Sequence, residues 1–553
     1  MNSSLNAARR ARELAETRDL VVDVLVVGLG ATGAGVALDA ASRGLSVAAI
    51  EAHDLAFGTS RWSSKMIHGG LRYLAKGQIG VAYESAVERG LLLGRTAPHL
   101  VRAQPYLLPL VPEVSRRHAT LVMTGYRLGD GLRAAARTPR HLLPGPSWIS
   151  AQQALALASP LGSRGLRGAL LSWDGRLVDD ARLVLSVART AAAHGARVLT
   201  RCRALEVSGD GALVRDELAG ETFTVRARAV VNATGVWAAG LHPGIRMRPS
   251  RGTHLVLRPE TLPGLTAGLH VPIPGESNRF ALVLPQPDGR IHVGLTDEPV
   301  DGPVPDVPHA PEEDVTFLLS VLNSVLEEPV RREEVAGTYA GLRPLLAGEG
   351  RTADLSRRHA LLTTRDGLVT VVGGKLTTYR RMAEDAVDLA VSLSRIDAGR
   401  SRTAALPLVG AAGAVGAAGA VRAGGDGGDG GDGRHDGHGG RGRGTRRGRD
   451  GRDGRDGRGP EGGTTAGGRN GGVADRLLER YGSEAGAVRA LMAEEPWLAE
   501  AGPTGVTGAE LVWAVRHEGA LDVDDLLDRR TRIGLVPADR EAALPAARAA
   551  LTY

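Results

Sequence analysis

Cysteine is all but missing: one residue, Cys202, in a chain of 553. That excludes an intrachain disulfide and fits a reducing compartment. Cys202 ends Val198-Leu199-Thr200-Arg201-Cys202, which reads as a strand, so a structural role is expected rather than a nucleophilic one. Aromatic residues are scarce too, 3% against 42% hydrophobic overall, so the core has to be built from Ala, Val and Leu. No apolar run reaches the roughly 18 residues of a membrane span, and no transmembrane helix is expected. The first residues are polar and mixed in charge with no apolar h-region, so no secretory signal is expected. A broad excess of one charge is also lacking. Of the net +6, half falls in residues 422–472, where 11 Arg meet 7 Asp and 1 Glu. The remainder is near balance, and a basic pI alone implies no nucleic-acid surface.

What is present begins with a strand, turn, helix and strand. Val22-Asp23-Val24-Leu25-Val26-Val27 is an apolar run, followed by Gly28-Leu29-Gly30-Ala31-Thr32-Gly33 and an Ala-rich segment to Arg43. Ser46-Val47-Ala48-Ala49-Ile50 follows and ends at Glu51. Gly28 permits the sharp turn, Gly30 the approach of a pyrophosphate, and Gly33 close packing of helix on sheet. The free N–H groups and positive end of the helix receive phosphate. Glu51 stands where a carboxylate accepts from ribose hydroxyls and disfavours a 2′-phosphate, which argues against NADP. This stretch alone does not separate NAD from FAD.

Three later stretches extend the site. Residues 54–73 are rich in Gly, Ser and basic residues. Thr59, Ser60, Ser64, Gly69 and Gly70 suit backbone N–H groups aimed at phosphate or an isoalloxazine edge, and Lys65, His68, Arg72 and Tyr73 suit an anion. Ala229-Val230-Val231-Asn232-Ala233-Thr234-Gly235 is an apolar strand ending where a cofactor can approach the backbone, a second marker that favours FAD. Leu368 to Gly373-Gly374-Lys375-Leu376-Thr377 is a strand ending at paired glycines before a helix, whose start is another anion or flavin-tail site.

Between them, residues 76–104, 119–137 and 181–194 read as helices and residues 105–112 as a broken apolar strand. Residues 250–345 alternate apolar and polar residues with many prolines, as expected for an antiparallel sheet covering a substrate. His254 in this region reads either as a proton acceptor or as a satisfied strand histidine. Arg343 precedes Pro344 in extended backbone, and Arg357-Arg358-His359 follows. Residues 411–472 are Gly, Asp and Arg with few apolar side chains, a composition that cannot offset the entropy of ordering. They read as a flexible linker. Nucleic-acid binding there is not expected, since stacking needs aromatics and this stretch has none. From Val473 helical periodicity returns at 474–481, 485–493, 508–518, 523–529 and 540–551.

Taken together, these stretches resemble the FAD-dependent, respiratory glycerol-3-phosphate dehydrogenases. The residues that carry the likeness are the Gly28 to Gly33 turn, Ser63-Ser64-Lys65-Met66-Ile67-His68-Gly69-Gly70-Leu71-Arg72-Tyr73, Asp179-Asp180-Ala181-Arg182-Leu183, Asn232-Ala233-Thr234-Gly235, Gly341 to Leu345, Gly373 to Arg380 and Asp528-Arg529-Arg530-Thr531-Arg532. The likeness covers about residues 20–410 and 473–550. It implies an α/β fold: a Rossmann-like FAD domain with interleaved halves (21–410), an antiparallel substrate sheet (about 250–345) and a helical C-terminal domain (473–553), after an N-terminal extension (1–20) that reads as a solvated helix. It implies FAD as cofactor and no metal. The implied reaction is oxidation of sn-glycerol 3-phosphate to dihydroxyacetone phosphate, hydride to flavin N5 and electrons to a membrane quinone. A cytoplasmic location follows, with peripheral contact on the inner face of the cell membrane. Arg72, Arg343, Arg357 and Lys375, with Tyr73 as a neutral donor, are the implied phosphate ligands. His254, as a base near pKa 7, and Arg343, as stabiliser of the alkoxide, are alternatives for the hydroxyl proton. Trp62 stands where a small residue is usual, Val236 where Pro is, and Leu295 where Thr is.

Three rivals remain open from sequence: a glycerol-3-phosphate oxidase using O2, another flavin oxidase of the superfamily, and an RNA-binding or scaffold protein acting through the Arg/Gly stretch. Oligomeric state is equally open, a homodimer being one arrangement.

Overall fold

The computed structural model describes residues 2–75, 77–242, 244–274, 276, 279–347, 358–411 and 468–553. Arg357 and nearly all of the Gly/Arg/Asp-rich stretch lie outside the described residues, and of Arg72 only the backbone is described.

The apolar run Val21–Val27 is a buried strand because it is covered on both faces, and it pairs in parallel with Val47–Ile50 on one side and Thr222–Asn232 on the other. Arg197–Leu199 and Val369–Gly373 extend this parallel centre, and His359–Thr363 pairs antiparallel with the latter. With the antiparallel strands Cys202–Ser208 and Gly211–Asp216 the sheet has eight strands among the described residues. The helix Ala31–Ser42 is small-residue rich and almost wholly buried. It lies between Asp180–Ala193 and Tyr379–Leu393, and Gly35 lets it close in: a Cβ there would stand 3.0 Å from that of Ala383.

The second sheet has ten strands among the described residues. Its 250–345 part is antiparallel as expected, from Ser250–Leu257 through Val335–Arg343. It is larger than the sequence pattern suggests, for it also takes Met66–Ile67, Val101–Pro109, Ser147–Ile149 and Ala169–Leu177. One pair in it is parallel, Gly268–Pro272 with Val101–Pro109. The expected helix 76–104 stops short: Ile79–Leu91 and a turn to Thr96 are helical, but Pro98 follows and disfavours helical backbone at Ala97, and the chain is already strand at Val101.

Two further departures concern the ends. The helix Ala7–Asp19 is not solvated: Leu14 enters the core, Arg10 pairs with Asp216 at 2.5 Å, and Arg9 donates to the Ala192 carbonyl. Three of its charged residues, Arg9, Arg10 and Glu13, are buried because each finds a partner, which polarity alone does not reveal. The helical C-terminal segments form their own core around Leu477, Val488, Trp513 and Leu526. They dock on the first body largely through ion pairs, among them Arg182 with Glu518 at 2.9 Å through both carboxylate oxygens. No helix among the described residues is long and apolar enough to cross a membrane.

Candidate active site

One cavity of about 1600 Å³ runs between the two sheets. At one end it meets the glycine turn. Gly28 has φ +95°, and a Cβ there would stand 3.0 Å from the Ala233 carbonyl and the Thr234 Cα. Gly33 does not face the cavity; a Cβ on it would come within 1.8 Å of the Gly28 carbonyl, so it sets how closely the helix sits under the turn. Glu51 lies one residue beyond its strand and is held by backbone donors, Leu29 N–H at 2.8 Å and His53 N–H at 3.0 Å. Burial pushes its carboxyl up from the usual range, and these two bonds oppose the shift. The Ser60 hydroxyl accepts from Ala31 N–H at 2.9 Å, in the first turn of the helix, while Thr59 donates to the Leu342 carbonyl at 2.6 Å.

Thr234, Gly235, Gly373, Gly374, Leu376 and Thr377 line the same cavity. Asn232 folds its carbonyl under Thr234, accepting from both its N–H and its hydroxyl, and so pins the end of that strand. Gly374 has φ +75° and would press a Cβ on the Met382 sulfur at 2.3 Å. Three chain crossings thus bring small residues to one wall, leaving backbone against an extended ligand. These residues fit FAD: the turn, the acid at the second strand and two further glycine-rich strand ends form a cradle that side chains would fill.

Part of the lining is cationic and aromatic. Ser64, His68, Gly69, Tyr73, His254, Arg343 and Lys375 all reach it. His254 is buried on Ser250–Leu257; its Nε2 shares a 2.8 Å hydrogen bond with the Ser64 hydroxyl, and its ring stacks on Tyr339 at 4.6 Å. Burial, then the charges of Lys65 and Arg343, drive its pKa down to about 3. The expectation of a base near 7 is therefore not met by His254 in this structure. Arg343 is braced by the Ser250 hydroxyl at 3.1 Å, the Thr296 carbonyl at 2.9 Å and Asp297 at 3.4 Å. Its guanidinium lies over Gly252, where a Cβ would stand 2.4 Å from it. The Lys375 ammonium donates to Ser85 and sits 4.1 Å above the Tyr73 ring.

Besides Gly33, two of the sequence candidates stand back from the cavity. Lys65, with φ +54°, turns its ammonium inward to Asp180 at 3.4 Å, beneath Tyr339. It carries charge under the floor and does not line the wall, which corrects its reading as a cofactor ligand. Gly70 has φ +79° and allows the helix Ile79–Leu91 to approach at Ser85. Trp62 is accommodated because Gly341 faces it: a Cβ there would meet that of Trp62 at 2.6 Å. Sequence reasoning missed the Arg89–Asp174 pair, 2.6 Å apart in the wall, where Asp174 also accepts from Gly69 N–H at 3.1 Å. No local pattern marks it, since the partners come from a helix and a distant strand.

A dinucleotide turn that shares its cavity with a cationic, histidine-bearing lobe defines an FAD-dependent oxidoreductase. In agreement, the sequence model of the FAD dependent oxidoreductase family matches residues 23–380, and that of the C-terminal domain of alpha-glycerophosphate oxidase matches residues 401–552. The chain is 47% identical to glycerol-3-phosphate dehydrogenase 1 of Mycobacterium tuberculosis over 99% of its length and 98% of that protein's. It is 36% identical to glycerol-3-phosphate dehydrogenase 2 of the same organism, covering 96% and 84%. With these relatives, the chain belongs to the family of FAD-dependent glycerol-3-phosphate dehydrogenases. The fold is shared with the glycerol-3-phosphate dehydrogenase of Bacillus halodurans complexed with FAD, at TM-score 0.70, 24% identity and coverage of 99% and 94%.

Proposed function

We propose that the protein oxidises sn-glycerol 3-phosphate to dihydroxyacetone phosphate and delivers the electrons to a membrane quinone. The observation that carries this reading is the continuity of one cavity from the Gly28 turn to the lobe of His254, Arg343, Tyr73 and Lys375. FAD bound along the glycine turns would take the C2 hydride at N5 and pass the electrons on. The remaining work falls to side chains. Lys375, beside Tyr73 and with Arg72 and Arg357, takes the phosphate, for which fixed cations with several N–H donors are suited. Arg343, already braced on three sides, points its charge at the C2 oxygen as it becomes an alkoxide. His254 accepts the hydroxyl proton. It is neutral at pH 7, so the accepting form is the populated one. Burial is the first cause of its low pKa, and a phosphate dianion entering the lobe offsets only the smaller part that comes from Lys65 and Arg343.

The mouth of the cavity supports a quinone acceptor and peripheral attachment to the inner face of the cell membrane, with the protein on the cytoplasmic side. Leu71, Ile79, Leu121 and Leu128 line the cavity yet are 37%, 63%, 65% and 59% exposed. Exposed Arg116, Arg117 and Arg127 share the helix Arg116–Ala135 with two of them. Apolar and basic side chains on one helix suit an anionic lipid surface. The test is flavin absorbance with stepwise additions. Glycerol 3-phosphate should bleach the visible band, while glycerol and amino acids should not. Bleaching by an amino acid instead would overturn the substrate, and reoxidation as fast by O2 as by a quinone would replace the acceptor.

A further inference from the structure

The segment 54–64 contributes to the cavity wall beside the glycine turn, and it is held from far along the chain. Asp54 lies three residues past Glu51 and is fully buried. Arg530 grips both of its oxygens, Nη1 to Oδ2 at 2.6 Å and Nη2 to Oδ1 at 2.8 Å, and Arg529 Nε adds a third bond at 2.6 Å. At the other end of the segment Arg532 donates to the Arg61 carbonyl and lies 5.0 Å from the Trp62 ring. In between, the segment supplies Gly58, Thr59 and Ser60 to the cavity wall. Ala56 N–H bonds to the Leu29 carbonyl at 3.1 Å, and Ser60 takes Ala31 N–H. Any shift of the segment therefore reaches the glycine turn at two points. Other ion pairs dock the same C-terminal body without touching it, such as Arg258 with Asp539 at 2.7 Å.

We propose that Arg529, Arg530 and Arg532 are positioning residues for the cofactor. The C-terminal domain, through these three side chains, seats residues 54–64 against the dinucleotide turn and so sets the affinity for FAD. A buried carboxylate gripped by paired guanidinium donors is a stiff joint, because breaking it strands charge away from water. This inference rests on FAD as the cofactor and is independent of the substrate.

The experiment measures the FAD dissociation constant, by flavin fluorescence on dilution, and the melting point of the apoprotein for D54N, R530M and R258M. D54N and R530M should weaken FAD about tenfold or more, and R258M should lower the melting point while leaving FAD affinity within about twofold. R530M strands a buried carboxylate; should it fail to fold, the D54N/R530M double variant removes both charges and is read in the same way. FAD affinity unchanged in D54N and in the foldable Arg530 variant overturns the proposal, as does an equal loss in R258M. Failure of glycerol 3-phosphate to bleach wild-type flavin would overturn the substrate reading and leave this one standing.

Discussion

Replacement of Arg343 by Met separates chemistry from architecture. The guanidinium is fixed by the Ser250 hydroxyl, the Thr296 carbonyl and Asp297, so little reorganisation is needed when charge develops on the substrate oxygen. Loss of one such preorganised donor costs about 10²–10³-fold in kcat, or roughly 2.7–4 kcal/mol of transition-state stabilisation. A second cost is expected in stability, because Asp297 loses a cationic partner in a buried place, on the order of 1–3 kcal/mol. The two effects come apart in R343M/D297N. Removing the carboxylate's charge should recover most of the melting point while turnover stays low. FAD should remain bound in both variants, since the printed bonds of Arg343 run to Ser250, Thr296 and Asp297 and not to the glycine turn. Stopped-flow reduction of the flavin by glycerol 3-phosphate reads the chemical step, and the visible flavin spectrum reads occupancy. Reduction of R343M at near wild-type rate would refute the role of Arg343. Recovery of turnover in the double variant would show that the loss was architectural.

Other outcomes are expected. K375M should raise KM for glycerol 3-phosphate about 10- to 100-fold with the flavin spectrum intact, the worth of one charge-assisted bond; an unchanged KM would remove Lys375 from the phosphate site. The buried His99, with both ring nitrogens unpartnered, has its pKa lowered to about 4 by burial. Between that value and the ordinary 6.5 the unfolded chain binds more protons than the folded one, so stability falls as pH drops through this window. His254 and His270, lowered to about 3 and about 4, act in the same direction. H99L should reduce the slope of the denaturation midpoint against pH between 5 and 6 by up to about one proton, and an identical slope would exclude the assignment.

The glycine turn was legible in sequence because its demands are local. A positive φ at Gly28 and a missing Cβ at Gly33 are requirements that neighbouring residues reveal. The second and third glycine-rich strand ends were legible for the same reason. Arg89 and Asp174 were not, because their meaning exists only once a helix and a strand 85 positions apart are side by side. Lys65 misled for a related reason: it stands among wall residues, but its left-handed backbone turns it inward to Asp180. The charge state of His254 was hidden too. It depends first on burial and then on Lys65 and Arg343, which approach from different elements, and a strand histidine carries no sign of them.

The helix Ala7–Asp19 has a consequence beyond its ion pairs. It lies against Arg197–Leu199, the outermost strand on one side of the parallel sheet. Glu13 accepts from Val198 N–H at 3.3 Å, and Arg10 donates to the Thr200 carbonyl at 2.7 Å, so side chains occupy groups that another strand would otherwise pair. An open strand edge is a template for self-association, and this helix works as its cover. A chain shortened by residues 1–20 is therefore expected to gather into larger species on sedimentation, and a variant that sediments like the full chain would show the edge to be harmless. Twenty residues with no part in the chemistry would then serve to keep copies of the enzyme apart.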